Sequence, residues 1–288
     1  GDGFTEEDLA RGGKWQQALD TVNRYMFEVE PLKSYREYFN VYAVAAPFEG
    51  SLYSDEPDTT SFAIYNPLKP IGESVTYRYD FQKNRQILDD YAFRKTPVSK
   101  DKKNFSEMIV CLLINSDNAD YSGWCSTNYI NPVESKCLAV APCGVFAKFC
   151  HRSIITHELM GHGFGGFLDE YFWGEDSFPE DAVPERIAQW EKYDVGRNLC
   201  FSTTDPERIP EAWYKLSQRD EYKDYVGFFE GHVGFLHGVY HCSKQSVMNS
   251  HGLGSDLAVQ AYKYYSPVQR EILVYRIYKL AGLEEEYT

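Results

Sequence analysis

The stretch that most constrains this chain is Thr156-His157-Glu158-Leu159-Met160-Gly161-His162-Gly163-Phe164-Gly165-Gly166-Phe167-Leu168-Asp169-Glu170-Tyr171. Two imidazoles with a glutamate directly after the first, in an apolar segment that runs into glycines, are the residue set of a zinc hydrolase. The usual form places the histidines four apart, so that on a helix of about 3.6 residues per turn both face one ion. Here they stand five apart. A regular α-helix would leave those two side chains about 140° apart, unable to share a metal. Either the motif is coincidental or the helix absorbs one extra residue as a π-bulge, a local i→i+5 turn that tends to occur at functional sites. The glycine exit and the acidic pair Asp169-Glu170 favour the bulge.

At 288 residues and 43% hydrophobic, the chain can bury a full core in one large domain or two lobes around a cleft. A net charge of −14 argues against nucleic acid or an anionic membrane surface, since both need clustered Lys and Arg. No apolar run is long enough to span a membrane. The chain opens at Gly1-Asp2-Gly3 without a signal-peptide pattern, which leaves export open and fits an upstream segment having been removed. The seven cysteines, Cys111, Cys125, Cys137, Cys143, Cys150, Cys200 and Cys242, form an odd set without a CxxC pair. They are expected to be buried small apolar residues, neither a disulfide framework nor a thiolate zinc site.

Thr5 with Asp8 has the form of a capping box, and Trp15, Leu19, Val22 and Met26 then mark one face of an amphipathic helix closed by Pro31. A shorter helical stretch with Leu32, Tyr35 and Phe39 leads into Val41–Ala46, a plausible buried strand and with the helix the second half of a βαβ unit. The segment 48–70 reads as a long loop, Val75 to Tyr79 as a short strand and Phe81 to Phe93 as helix. Met108–Ile114 is a continuous apolar run suited to a strand buried on both faces, Asn115–Tyr121 a solvated turn, and Cys137–Ala141 a further strand. The central helix is expected from about Val145 to Gly163. After Tyr171 the composition predicts irregular structure, followed by glycine-and-aromatic loop and short strand over Phe228–Tyr240. Ser266-Pro267-Val268-Gln269 starts a last helix whose packed side is Leu273, Ile277 and Leu280. The fold class is α/β (α+β).

Three separated stretches carry a resemblance: Gly1-Asp2-Gly3-Phe4-Thr5-Glu6-Glu7 with Phe39-Asn40-Val41-Tyr42-Ala43-Val44, then the histidine motif through Asp169-Glu170-Tyr171, then Gly238-Val239-Tyr240, Ser246-Val247-Met248-Asn249 and the helix opened by Ser266-Pro267. Over nearly its whole length the chain resembles the immunoglobulin A peptidase family of zinc metallopeptidases, a metzincin-like group from bacteria. The resemblance implies a single catalytic domain over 1–288. An upper lobe of about 1–168 would hold a mixed twisted sheet and a central active-site helix, and a smaller irregular lobe of about 169–288 the Met-turn and closing helix. Met248 is similar to the methionine that forms an apolar floor beneath the zinc. Metzincins place a third ligand six residues after the second histidine, beyond a glycine at the third place. Gly165 holds that third place, but the sixth is Leu168 and the carboxylate comes one later. The five-residue histidine spacing itself is similar to that of the dipeptidyl-peptidase III family.

On this resemblance one catalytic zinc is held by His157, His162 and Asp169, with Glu170 the other candidate for the third place, and Glu158 is the general base. His151, His232, His237, His241 and His251 read as structural, with His241 or His251 a possible substrate contact, and Tyr240 and Tyr265 are candidate oxyanion donors. The implied activity is zinc-dependent hydrolysis of protein or glycoprotein substrates by a secreted or surface-located enzyme. Two other readings stand: a surface binding module whose zinc is structural, and a metal-free relic.

Overall fold

Helices and small sheets are mixed along the chain in an α+β arrangement, seen in a computed structural model. The structure describes residues 1, 3–47, 75–76, 91, 94–97, 106–115, 121–127, 135–143, 152, 154–172, 174–232, 234–249 and 264–287. The chain forms two units, one of Gly1–Met26 with Asn40–Leu159, the other of Phe27–Phe39 with Met160–Thr288.

In the first unit, helix α1 (Lys14–Met26) buries Ala18, Val22 and Met26 at the four-residue spacing of one helical face. The capping box at Thr5 and Asp8 exists but closes the turn before this helix. The Asp8 N–H donates to Thr5 Oγ1 (3.2 Å) and the Thr5 N–H to Asp8 Oδ2 (3.1 Å). Asn115, expected in a solvated turn, instead donates its side-chain amide to Gly3 O at 2.9 Å and to Asp8 Oδ2 at 3.1 Å.

The sheet of this unit has β5 (Cys137–Pro142) at its centre, parallel to β2 (Ile109–Ile114) and antiparallel to β4 (Trp124–Thr127). Cys137–Ala141 is wholly enclosed, which explains why its sequence is apolar without alternation. A second, two-residue parallel pair joins β1 (Val75–Thr76) to β3 (Tyr121–Ser122).

Val41–Ala46 corrects the sequence reading. It forms no strand, and Val41 and Tyr42 are exposed while only Ala46 is buried. The residues have β propensity, but a strand needs a ladder partner, and among the described residues the ties here are the Gly1 ammonium on Val44 O (3.1 Å) and a bridge between Phe4 and Pro47. The described residues therefore form no βαβ half-unit here. The expected loop at 48–70, and all of the expected helix at 81–93 but Tyr91, lie outside the described residues. Cys111, Cys125, Cys137, Cys200 and Cys242 are free thiols, and these and Cys143 are buried or half-buried as expected. Burial pushes the Cys111 thiol far up, so it stays protonated.

The second unit also departs from its expectation. In the stretch read as irregular lie α2 (Val183–Tyr193) and α3 (Glu211–Ser217). Pro184 and Glu185 occupy the first turn of α2, where a missing N–H costs nothing and a negative charge faces the helix dipole, so the proline and acid content disguised a helix start. Trp190 on α2 stacks on Phe201 (4.9 Å, 20°), and Trp213 on α3 stacks on Phe228 (5.0 Å, 18°). The sheet orders as β6 (Leu199–Cys200), β8 (Phe235–His241), β7 (Phe229–His232), all antiparallel.

Helix α4 (Pro267–Ala281) starts as its sequence requires. Ser266 Oγ accepts from the Gln269 N–H at 3.2 Å, Gln269 Oε1 accepts from the Ser266 N–H at 3.0 Å, and Gly282 ends the helix in the left-handed conformation. Leu273 and Ile277 are buried, but Leu280 in the last turn is 44% exposed. Among the described residues no helix is long and apolar enough to cross a membrane. Ser266→Ala removes the cap and should lower unfolding free energy by about 1 kcal/mol. In denaturant titration the midpoint should fall with unchanged slope.

Candidate metal centre

Ile155–Phe164 is a π-helix throughout, ten residues of i→i+5 structure where the spacing asked for a single extra residue. In such a helix residues five apart stack on one face, as residues four apart do in an α-helix. The same step continues into the exit, where the Gly165 N–H donates to Met160 O at 2.9 Å. The glycines there have a steric reason. A Cβ on Gly165 would lie 2.8 Å from Gly161 O, and Gly166 has φ +66° with its Cβ position 2.6 Å from Asp194 O.

The helix turns His157 and His162 toward each other, and the exit brings in Asp169. Ligand-capable atoms of the three residues lie within 4.8 Å of one another, all on one continuous stretch of chain. Both histidines are buried and Asp169 is partly exposed. His162 Nδ1 lies 2.7 Å from Phe167 O, and because a carbonyl only accepts, that nitrogen carries the proton. That leaves Nε2 as the nitrogen a metal could use, and it faces Asp169 Oδ1 at 3.3 Å. An imidazole oriented by a carbonyl, a second imidazole and a carboxylate make a donor set that fits a divalent metal. Glu158, directly after His157, is half-buried on the same helix.

Glu170 is placed differently. Its carboxylate is fully enclosed and accepts from Asn198 Nδ2 (3.0 Å), Gln269 Nε2 (2.7 Å), Ser246 Oγ (2.7 Å) and the Cys242 thiol (3.5 Å). Burial lifts its pKa to about 7, and these donations oppose the rise. Its N–H donates to Met248 O at 2.9 Å, and Met248 is fully buried in the 3₁₀ turn Val247–Asn249. Of the two acids, Asp169 joins the histidines and Glu170 joins the core.

His232 is buried, its Nδ1 donating to Asp169 O at 2.8 Å, and desolvation lowers its pKa to about 3. His241 is buried with Nδ1 on Ser243 O at 2.8 Å, and desolvation lowers it to about 4. His237 is exposed beside Glu230. His151 and His251 lie outside the described residues. Tyr265 is buried against Phe167, with its phenol pushed up by desolvation, and Tyr240 on β8 is raised by the same cause. Sequence reasoning missed Asn198 altogether, since a single asparagine in Gly196-Arg197-Asn198 matches no motif.

Residues 1–193 match the IgA Peptidase M64 family. The chain belongs to that family. No curated protein matches it. The part that matches the M64 family includes His157, Glu158, His162 and Asp169 and ends before Met248 and α4. Membership in a peptidase family points to proteolysis, with a metal as cofactor and proteins as substrates.

The neutral buried histidines make a pH-dependent contribution to stability. His241 titrates at about 4 when folded and near 6.5 in an unfolded chain, so unfolding takes up a proton between those values. Stability attributable to His241 is therefore present above about pH 6.5 and is lost as pH falls toward 4. Chemical denaturation at stepped pH should show the His241→Asn variant with a slope flatter than the parent by up to about 1.4 kcal/mol per pH unit in that window.

Proposed function

We propose that the chain is a zinc-dependent endopeptidase, in which His157, His162 and Asp169 hold the ion and Glu158 is the general base. The observation that carries this reading is the convergence of two imidazoles and a carboxylate within 4.8 Å on a π-helix and its exit. Three protein ligands are the number catalytic zinc sites use, leaving a position for water, whereas structural sites close with four. A zinc ion there would lower the pKa of a coordinated water to about 7 and polarise the scissile carbonyl. The protein's own groups do the rest. His162 is held in the tautomer that offers Nε2, Asp169 supplies a compensating negative charge, and Glu158 takes a proton from the attacking water and delivers it to the leaving amine nitrogen.

The buried Met248, joined through its carbonyl to the residue after Asp169, supports a metzincin-like arrangement with an apolar floor under the ion. We further read the whole of 1–288 as one catalytic domain, with lobes at about 1–168 and 169–288, from an exported bacterial enzyme. Its substrates are protein or glycoprotein chains, with immunoglobulin A the candidate that the family's name offers.

Glu158→Gln should cut turnover of a peptide or glycoprotein substrate by roughly 10² to 10⁴ while zinc content stays the same. Full activity in that variant would remove Glu158 from the mechanism. Chelation should abolish hydrolysis and zinc should restore it. Bound zinc without hydrolysis would instead make the domain a binding module, and failure to take up zinc would make it a relic.

A further inference from the structure

Asp169 sits in a segment with no secondary structure of its own, since residues 166–170 are neither helix nor strand. An unsupported coil would have to be ordered when its carboxylate meets a metal, at a cost in conformational entropy. This coil is supported in advance, by side chains from far along the chain. The buried Asn198 accepts from the Leu168 N–H through Oδ1 (3.0 Å) and donates from Nδ2 to Leu168 O (2.8 Å) and to Glu170 Oε1 (3.0 Å). One amide thus engages both backbone groups of the residue before Asp169 and the carboxylate of the residue after it.

That engagement uses one acceptor and both donors of the amide, and reversing the amide would place N–H against N–H and oxygen against oxygen. Its orientation is therefore fixed, and with it the peptide planes on either side of Leu168. The carbonyl of Asp169 is in turn held by His232 Nδ1 at 2.8 Å, and the Glu170 N–H by Met248 O at 2.9 Å. Asn198 has a defined place of its own, just before β6, where the Gly196 N–H donates to Gly166 O at 2.8 Å. Four backbone groups around Asp169, the Leu168 N–H and carbonyl, the Asp169 carbonyl and the Glu170 N–H, are thus fixed without a ladder or a helix.

We propose that Asn198 and His232 are positioning residues that present the Asp169 carboxylate to the metal. The proposal deepens the zinc reading above and rests on it. Neither residue touches the ion in this account; each acts through the backbone around Asp169.

The test is zinc affinity, measured by competition with a chromophoric chelator on metal-free protein whose melting temperature is recorded alongside. Asn198→Asp, nearly isosteric, loses both donations and should weaken zinc binding tenfold to a hundredfold, the range for groups that orient a ligand. In an Asp169→Ala background the same substitution should change zinc affinity less than about twofold, because the group it positions is gone. If Asn198→Asp does not fold, His232→Leu carries the test, and His232→Asn, which restores an N–H donor near the place of Nδ1, should recover the affinity. A lowered melting temperature with unchanged zinc affinity in both variants, or equal losses with and without Asp169, overturns the proposal. An unsubstituted chain that binds no zinc overturns the zinc reading first, and the proposal with it.

Discussion

The candidate site depends on a helix wound one residue looser than usual. Two histidines five apart converge only where backbone bonds run i→i+5, and the chain keeps that winding through all ten residues from Ile155 to Phe164. A π-helix forms less readily than an α-helix, so its surroundings must fix it. Ile155, Leu159 and Met160 are enclosed, and Gly165 and Gly166 leave by a path that a Cβ would block at backbone oxygens. The glycines after the motif are thus part of the geometry that aims the imidazoles.

The second requirement is a fixed acid beyond the helix. Asp169 offers a carboxylate from coil while its neighbour Glu170 turns into the interior and gathers donors from Asn198, Cys242, Ser246 and Gln269. Gln269 belongs to the capping box of α4, so the signal that starts the last helix also delivers an amide to the buried carboxylate. A buried charge needs that many partners, and satisfying it fixes the segment in one conformation. Adjacent acids therefore have separate tasks, one facing the two histidines and one holding the coil.

Patterns that depend on neighbouring residues were readable from the sequence, and those that depend on a distant partner were not. The apolar run Ile109–Ile114, the enclosed Cys137–Ala141 and the Ser266-Pro267-Gln269 helix start all follow from local composition and spacing. Val41–Ala46 failed as a strand because propensity cannot supply the ladder partner it lacks among the described residues. α2 and α3 were missed because prolines and acids that suit a first helical turn also suit loops.

The amino-acid order by itself determined the chemistry: two imidazoles, an adjacent glutamate and a following acidic pair, with a spacing that excluded an α-helix as their carrier. It left open which acid joins the histidines, because Asp169 and Glu170 differ by one methylene and one position. Tertiary structure decided that. Asn198, Ser246 and Gln269, 28, 76 and 99 residues from Glu170, enclose its carboxylate in the core. Asp169, one residue earlier, faces His162 at 3.3 Å instead.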